Sequence, residues 1–189
     1  MPKLNVVITS TRPGRVGLPV GKWFNDFALQ NSSFDVELVD LAEVNLPLLD
    51  EPVHPRLQQY EHAHTIAWSK QVDSADAFVF VTPEYNFGTP ATLVNALDYL
   101  YLEWNYKPVG FVSYGGVSGG LRSVQMTKQI VSTLKMVPLV EAVTIPFVTQ
   151  FINDEGEFTA NEMIEKSSTA MLTELLRWAE ALKPLRQPA

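Results

Sequence analysis

One α/β domain built on a five-stranded parallel sheet is predicted by three features of the sequence. Short continuous apolar runs are rich in β-branched and aromatic residues, helical periodicity fills the spaces between them, and the two alternate along the chain. The three strongest runs are Leu4 to Ile8, Ala77 to Thr82 and Val109 to Ser113, each ending in turn residues. Continuous apolarity, rather than alternation, marks strands covered on both faces. Phe34 to Val39 carries Asp35 and Glu37 in alternation with apolar residues, and Val140 to Ile145 is interrupted by Glu141. Both read as edge strands, where charge is tolerated and discourages aggregation.

The helices follow in order. Val16, Val20, Trp23, Phe24 and Phe27 space a first helix, with Pro19 in its first turn, where a missing N–H costs nothing. A second is predicted over Gln58 to Asp73, with Ala63, Ile66, Ala67 and Val72 facing inward. Thr89-Pro90 reads as a cap and first-turn proline for a third. Leu121, Val124, Ile130, Val131 and Leu134 define a fourth, and Thr159-Ala160-Asn161-Glu162 reads as a capping box for the last, with Met163, Met171, Leu175 and Leu182 as its apolar stripe. The tail after Lys183 is expected to fray. With two edges and three central strands, right-handed crossovers select the order 2-1-3-4-5, the flavodoxin-like order, in a three-layer sandwich. The irregular stretch Leu41 to Leu57, with prolines at 47, 52 and 55, is expected to border a site.

Composition narrows the function. The 189 residues suit one domain, residues 1–189. Apolar residues make up 46% and charged residues 19%, which excludes a disordered polymer. A net charge of -7 and a pI near 4.9 argue against nucleic acid or anionic lipid as main partners. The absence of cysteine excludes thiolate catalysis and thiolate metal sites, so redox chemistry requires a borrowed cofactor. The apolar segment ending at Ile8 is short for a signal sequence and no stretch is long enough to span a membrane, so a cytoplasmic location is expected.

In open parallel sheets, ligands bind beyond the carboxyl ends of strands where the strand order reverses. Three loops lie there. Thr9-Ser10-Thr11-Arg12-Pro13-Gly14-Arg15-Val16-Gly17 combines hydroxyls, guanidiniums and glycines at a helix start, the parts that surround a phosphate. It matches neither the Walker A pattern nor Gly-x-Gly-x-x-Gly. Asp40, at the end of the second strand, sits where a dinucleotide fold places its ribose acid, although an edge-strand terminus explains it equally. Thr82-Pro83-Glu84-Tyr85-Asn86-Phe87-Gly88-Thr89-Pro90 offers an aromatic and an amide to a flat ring. Ser113-Tyr114-Gly115-Gly116-Val117-Ser118-Gly119-Gly120 lets backbone N–H groups approach a ligand closely.

Taken together, Ser10-Thr11-Arg12, Pro83-Glu84-Tyr85-Asn86, Lys107-Pro108 and the glycine-rich run from Ser113 resemble the NAD(P)H-dependent FMN reductases, a family that includes quinone, azo dye and chromate reductases. The resemblance covers the first strand through the fourth helix. It implies a flavodoxin-like homodimer or homotetramer with noncovalent FMN, NADPH or NADH as hydride donor, and a small-molecule electron acceptor. It further implies that Ser10, Thr11, Arg12, Arg15 and Gly17 hold the FMN phosphate. Pro83, Glu84, Tyr85 and Asn86 would line the flavin ring near N5 and O4, while Tyr114, Gly115, Gly116 and Ser118 would approach its pyrimidine edge. Many relatives carry serine where Arg15 stands. No catalytic acid is required, because the cofactor carries the hydride. A flavodoxin-type electron carrier is the competing reading, and two arginines in the first loop favour the reductase.

The remaining titratable groups point elsewhere. His62 and His64, two apart, are expected on different sides of a helix and make poor co-ligands, so no metal site is predicted. Asp50, Glu51 and Glu84 lack the spacing of an acid-base pair. Trp23, Phe24 and Trp68 read as core. The third helical segment, Ala91 to Leu102, holds Asp98 as its only strong charge before Glu103, and its apolar faces predict self-association anchored by Tyr99, Tyr101, Leu102 and Trp104.

Overall fold

The computed structural model describes residues 1–186. Its sheet has the order β2-β1-β3-β4-β5, with β6 also on β4, and every pairing is parallel. The strands are β1 (Lys3–Ile8), β2 (Asp35–Asp40), β3 (Ala77–Pro83), β4 (Pro108–Tyr114), β5 (Val137–Pro138) and β6 (Val143–Ile145). β3 and β4 are buried throughout, as their unbroken apolar sequences require. The helices are α1 (Gly17–Asn31), α2 (Leu41–Val44), α3 (Ala63–Asp73), α4 (Ala91–Asp98), α5 (Leu121–Thr133) and α6 (Glu162–Leu182).

The sheet divides the core in two. Leu4, Val6, Val79, Val81 and Val112 face α1 and α6. Val7, Phe78, Phe80, Val109 and Phe111 face Trp68 and Val72 of α3, Leu97 of α4 and Val124 of α5. Alternate residues of one strand therefore serve opposite layers, which is the reason the strands read as continuous apolar runs.

Several expectations are corrected. The last edge strand is split: β5 and β6 flank an outward turn in which Val140 is fully exposed, and Pro138, unable to donate to a ladder, confines β5 to the edge. The second helix starts at Ala63, not Gln58. Gln58 takes a left-handed conformation that closes a 3-10 turn at Pro55–Leu57, and the Glu51 carboxylate accepts from the amides of Glu61 and His62, capping α3 from outside. The buried face is accordingly Thr65, Trp68 and Val72, while Ala63, Ile66 and Ala67 are exposed.

Thr89 does not cap α4. Its hydroxyl donates to the Ser123 carbonyl at 2.8 Å in a buried hydroxyl cluster with Thr127, and Pro90 occupies the cap position. α6 is capped by Asn161, whose side chain accepts from the Ile164 amide at 2.9 Å, because Thr159 is drawn into pairing with Phe151. Met163 is exposed and Leu41–Val44 is helical rather than irregular. The chain does not fray after Lys183: Lys183–Arg186 forms a 3-10 turn and Arg186 pairs with Asp76 at 2.8 Å. The expectation for the remaining tail lies outside the described residues.

Two of the proposed interface anchors belong to the core. Tyr99 and Trp104 are buried within the chain, the indole N–H of Trp104 donating to the Leu97 carbonyl at 3.2 Å. Tyr101 is half-buried beneath the Arg56 guanidinium, and only Leu102 is exposed. Among the described residues, no helix is long and apolar enough to cross a membrane.

Candidate flavin site

β1 and β3 are neighbours, yet the chain leaves β1 for β2 on one side and continues from β3 to β4 on the other. The strand order reverses at that point. The loops after β1, β3 and β4 meet at the carboxyl end of the sheet, as the sequence predicts.

The first loop is anchored before it opens. The Thr9 amide and hydroxyl both donate to the Val81 carbonyl at 3.1 Å, and the Thr92 hydroxyl of α4 donates to the Thr9 carbonyl. Ser10 is buried and accepts from the Tyr114 hydroxyl at 3.1 Å. Gly17 opens α1 against this pair; a Cβ there would lie 2.3 Å from both the Ser10 Oγ and the Tyr114 hydroxyl. The amides of Ser10, Thr11, Arg12 and Val16 donate to no carbonyl of the described residues. Unpaired donors at a helix start make a ready anion site.

The two arginines of this loop part company. Arg12 is exposed, its carbonyl accepting from the Arg15 amide in a tight turn. Arg15 turns away and forms an ion pair with Asp40, and its buried Nε has no partner. Asp40 also accepts from the Ala42 amide at 2.9 Å, capping α2. The Asp40 carboxylate neutralises Arg15, which forms a latch between the loop and the end of β2. Asp40 is that latch's partner.

The ring-side loops are committed largely to each other. Pro83 ends β3, and Tyr85 to Gly88 form a tight turn whose end residues exchange backbone hydrogen bonds at 3.1 and 2.9 Å. Asn86 and Phe87 both have positive φ, the pairing of a type I′ turn. Tyr85 and Phe87 are left exposed. The Glu84 carboxylate turns inward, accepting from the Ser118 hydroxyl at 3.0 Å, the Arg122 amide at 3.1 Å and Arg122 Nε at 2.6 Å. Burial works to raise its pKa, but the hydrogen bonds from Arg122 and Ser118 outweigh burial and hold it below the ordinary carboxylate value.

The Tyr114 side chain is buried beneath the first loop, and burial drives its pKa upward, so it remains a neutral donor to Ser10. The Gly115 amide donates to the Ile145 carbonyl at 3.2 Å and is not open to a ligand. The amides of Gly116, Val117 and Ser118 donate to no carbonyl of the described residues. Gly120, at φ +84, would place a Cβ 2.9 Å from the Tyr114 backbone, so only glycine closes this turn onto β4.

Three features escaped the sequence reading. Arg122 gathers Glu84, Ser118 and Phe87. A cation in the first turn of a helix runs against the macrodipole, which is the one local signal that it has a partner. Thr92 and Asn95 join Thr11 and Leu46 around a cavity of about 280 Å³ beside the first loop. The third feature is a strap: the rings of His62 and His64 stack 5.2 Å apart, and both reach Asp50, which also accepts from Tyr99 at 2.8 Å. His62 precedes α3, which brings the rings together and corrects their expected separation. A cavity of about 680 Å³ lies between α1 and the Glu155–Phe158 turn, where none of the three loops lines it.

Comparison with known proteins agrees with this geometry. Residues 2–150 match the family described as NADPH-dependent FMN reductase. An NAD(P)H-dependent FMN reductase of Schizosaccharomyces pombe is 41% identical over 165 residues, covering 84% of this chain and 82% of the relative. Another from Saccharomyces cerevisiae is 35% identical over 145 residues, covering 71% and 75%. In fold, the chain is similar to the flavoenzyme NAD(P)H:(acceptor) oxidoreductase FerB of Paracoccus denitrificans, with a TM-score of 0.75, 21% identity, and 96% and 98% of the two chains covered. The chain therefore belongs to the NADPH-dependent FMN reductase family.

Proposed function

We propose that this chain, as a single domain, binds FMN at the three loops and uses NADPH or NADH to drive two-electron reduction of a small acceptor such as free flavin or a quinone. The observation that carries the phosphate end is the exposed Arg12 beside the unpaired amides at the start of α1. The Gly17 gap, which a single Cβ would fill, gives that end its shape. The residues present fit the cofactor.

FMN, when bound, supplies the hydride chemistry, so no side chain of the protein is assigned as a catalytic acid or base. Thr11, Arg12 and the amides from Ser10 to Arg12 bind the phosphate, while Ser10 and Tyr114 fix the floor of the loop. Pro83, Tyr85 and Asn86 shape the ring side. Glu84 acts on the ring only indirectly, since its carboxylate is engaged by Arg122 and Ser118. With FMN bound, the open amides of Gly116 to Ser118 would offer partial positive charge to the negative charge that develops on reduction.

A quinone acceptor is suggested by a Pseudomonas putida quinone reductase that is 29% identical over 140 residues, covering 69% of this chain and 70% of the relative. Assembly as a homodimer or homotetramer, and a cytoplasmic location, remain part of the proposal. They rest on the sequence and the family resemblance. Spectra of the purified holoprotein before and after anaerobic NADPH test the reading: bleaching of the flavin bands supports a reductase, and bands indifferent to both nicotinamides support a flavodoxin-type carrier.

A further inference from the structure

We propose that Arg122 is a positioning residue that joins the Glu84–Gly88 turn and the Gly115–Gly120 turn into one jaw, and thereby sets affinity for the flavin ring without contributing to the phosphate. The inference rests on the flavin reading above for the identity of the ligand.

Arg122 stands at the second position of α5, where the helix dipole opposes a cation. Its contacts remove that penalty. The guanidinium meets Glu84 through Nε and Nη2, and Nη2 also donates to Ser118 Oγ at 3.1 Å. The backbone amide of the same residue donates to the other Glu84 oxygen. The guanidinium carbon lies over the Phe87 ring, 3.5 Å from its centroid. One residue thus holds the start of one turn, the tip of that turn and the middle of the other.

An isolated exposed ion pair contributes little. This one differs because the Glu84 side chain is only 7% exposed, the contact is two-pronged, and a cation–π stack shares the same group. The turn it secures needs an anchor: Asn86 suits its positive φ, but Phe87 holds positive φ too, a conformation that a bulky residue adopts only when its surroundings impose it. Lysine has neither the planar fork nor the flat face, so it is not expected to replace Arg122.

The test titrates FMN and riboflavin into the apo forms of wild type, Arg122→Ala, Arg122→Lys and Glu84→Gln, with thermal unfolding and amide exchange of each. Arg122→Ala should weaken both flavins by the same factor, roughly tenfold, leaving their ratio unchanged. Arg122→Lys should fail to rescue, and Glu84→Gln should move both affinities in the same direction by less. Amide exchange should accelerate at Tyr85 to Gly88 while the unfolding midpoint of the apo protein stays near wild type, a pattern that general loss of structure does not give. Unchanged affinities with unchanged exchange at the turn, or full rescue by lysine, would overturn the proposal. A loss confined to FMN would instead make Arg122 a phosphate ligand, overturning this inference and the site reading together.

Discussion

The loop after β1 and the paired loops after β3 and β4 share one end of the sheet but are built on opposite principles. In the first, the floor is fixed by Tyr114 and Ser10, while Arg12 and a row of amides stay unspent. In the second, Glu84, Ser118 and Arg122 consume one another's polar groups, leaving the Tyr85 ring and the amides of Gly116 to Ser118 on display. A doubly charged phosphate rewards free donors, because charge-assisted hydrogen bonds are the strong ones. A flat ring gains more from shape held rigid before it arrives. The charge of Arg12 is kept available in one region, and that of Arg122 is neutralised by Glu84 in the other.

The strongest challenge to this contrast falls on the phosphate floor. Gly17→Val would force side-chain atoms into the space between Ser10 and Tyr114. Overpacking of this kind costs about 1–3 kcal/mol; a lowered denaturation midpoint accompanied by loss of FMN binding is expected, and retention of wild-type affinity would show that the floor yields.

Next in size is a pH effect outside both regions, which checks that the contrast is local. Lys107 is buried and donates to the Val72 and Asp73 carbonyls at the end of α3, at 2.9 and 3.0 Å. Burial lowers its pKa to about 8. Because the folded value lies below the unfolded one, the unfolded chain binds more protons between about pH 8 and 10, and stability gains from Lys107 as pH rises through that window. Denaturant titrations at pH 7 and pH 10 should show wild type gaining up to about 2 kcal/mol relative to Lys107→Met, with flavin affinity at pH 7 the same in both.

Tyr114→Phe has the smallest expected effect. It removes the hydroxyl that orders Ser10, costing about 1 kcal/mol, and FMN binding measured by fluorescence titration should weaken severalfold. Riboflavin should change little, since this hydroxyl supports the first loop through Ser10; an equal loss for riboflavin would place Tyr114 on the ring side.

The fold was legible wherever burial is double-sided. β1, β3 and β4 pack helices on both faces, so their sequences carry no polar interruption and their ends fall within a residue of expectation. Each loop follows directly from one of these runs, which is why the three loops could be placed. Partnerships across long sequence separations were illegible: Arg15 with Asp40, Glu84 with Arg122 and Glu51 with the start of α3 depend on folding to bring the groups together. Tyr99 and Trp104 illustrate another limit, since an apolar segment bound for an interface and one bound for the core read alike.

On the proposed function, recognition of charge is concentrated at Arg12. Titrating FMN and riboflavin into apo wild type and apo Arg12→Ala tests it directly. Loss of charge-assisted hydrogen bonds, worth on the order of 1.5 to 3 kcal/mol each, should weaken FMN by roughly ten- to a hundredfold and leave riboflavin, which lacks the phosphate, essentially unchanged. Equal losses for the two flavins, or an FMN affinity that does not fall, would contradict the placement of the phosphate in the first loop.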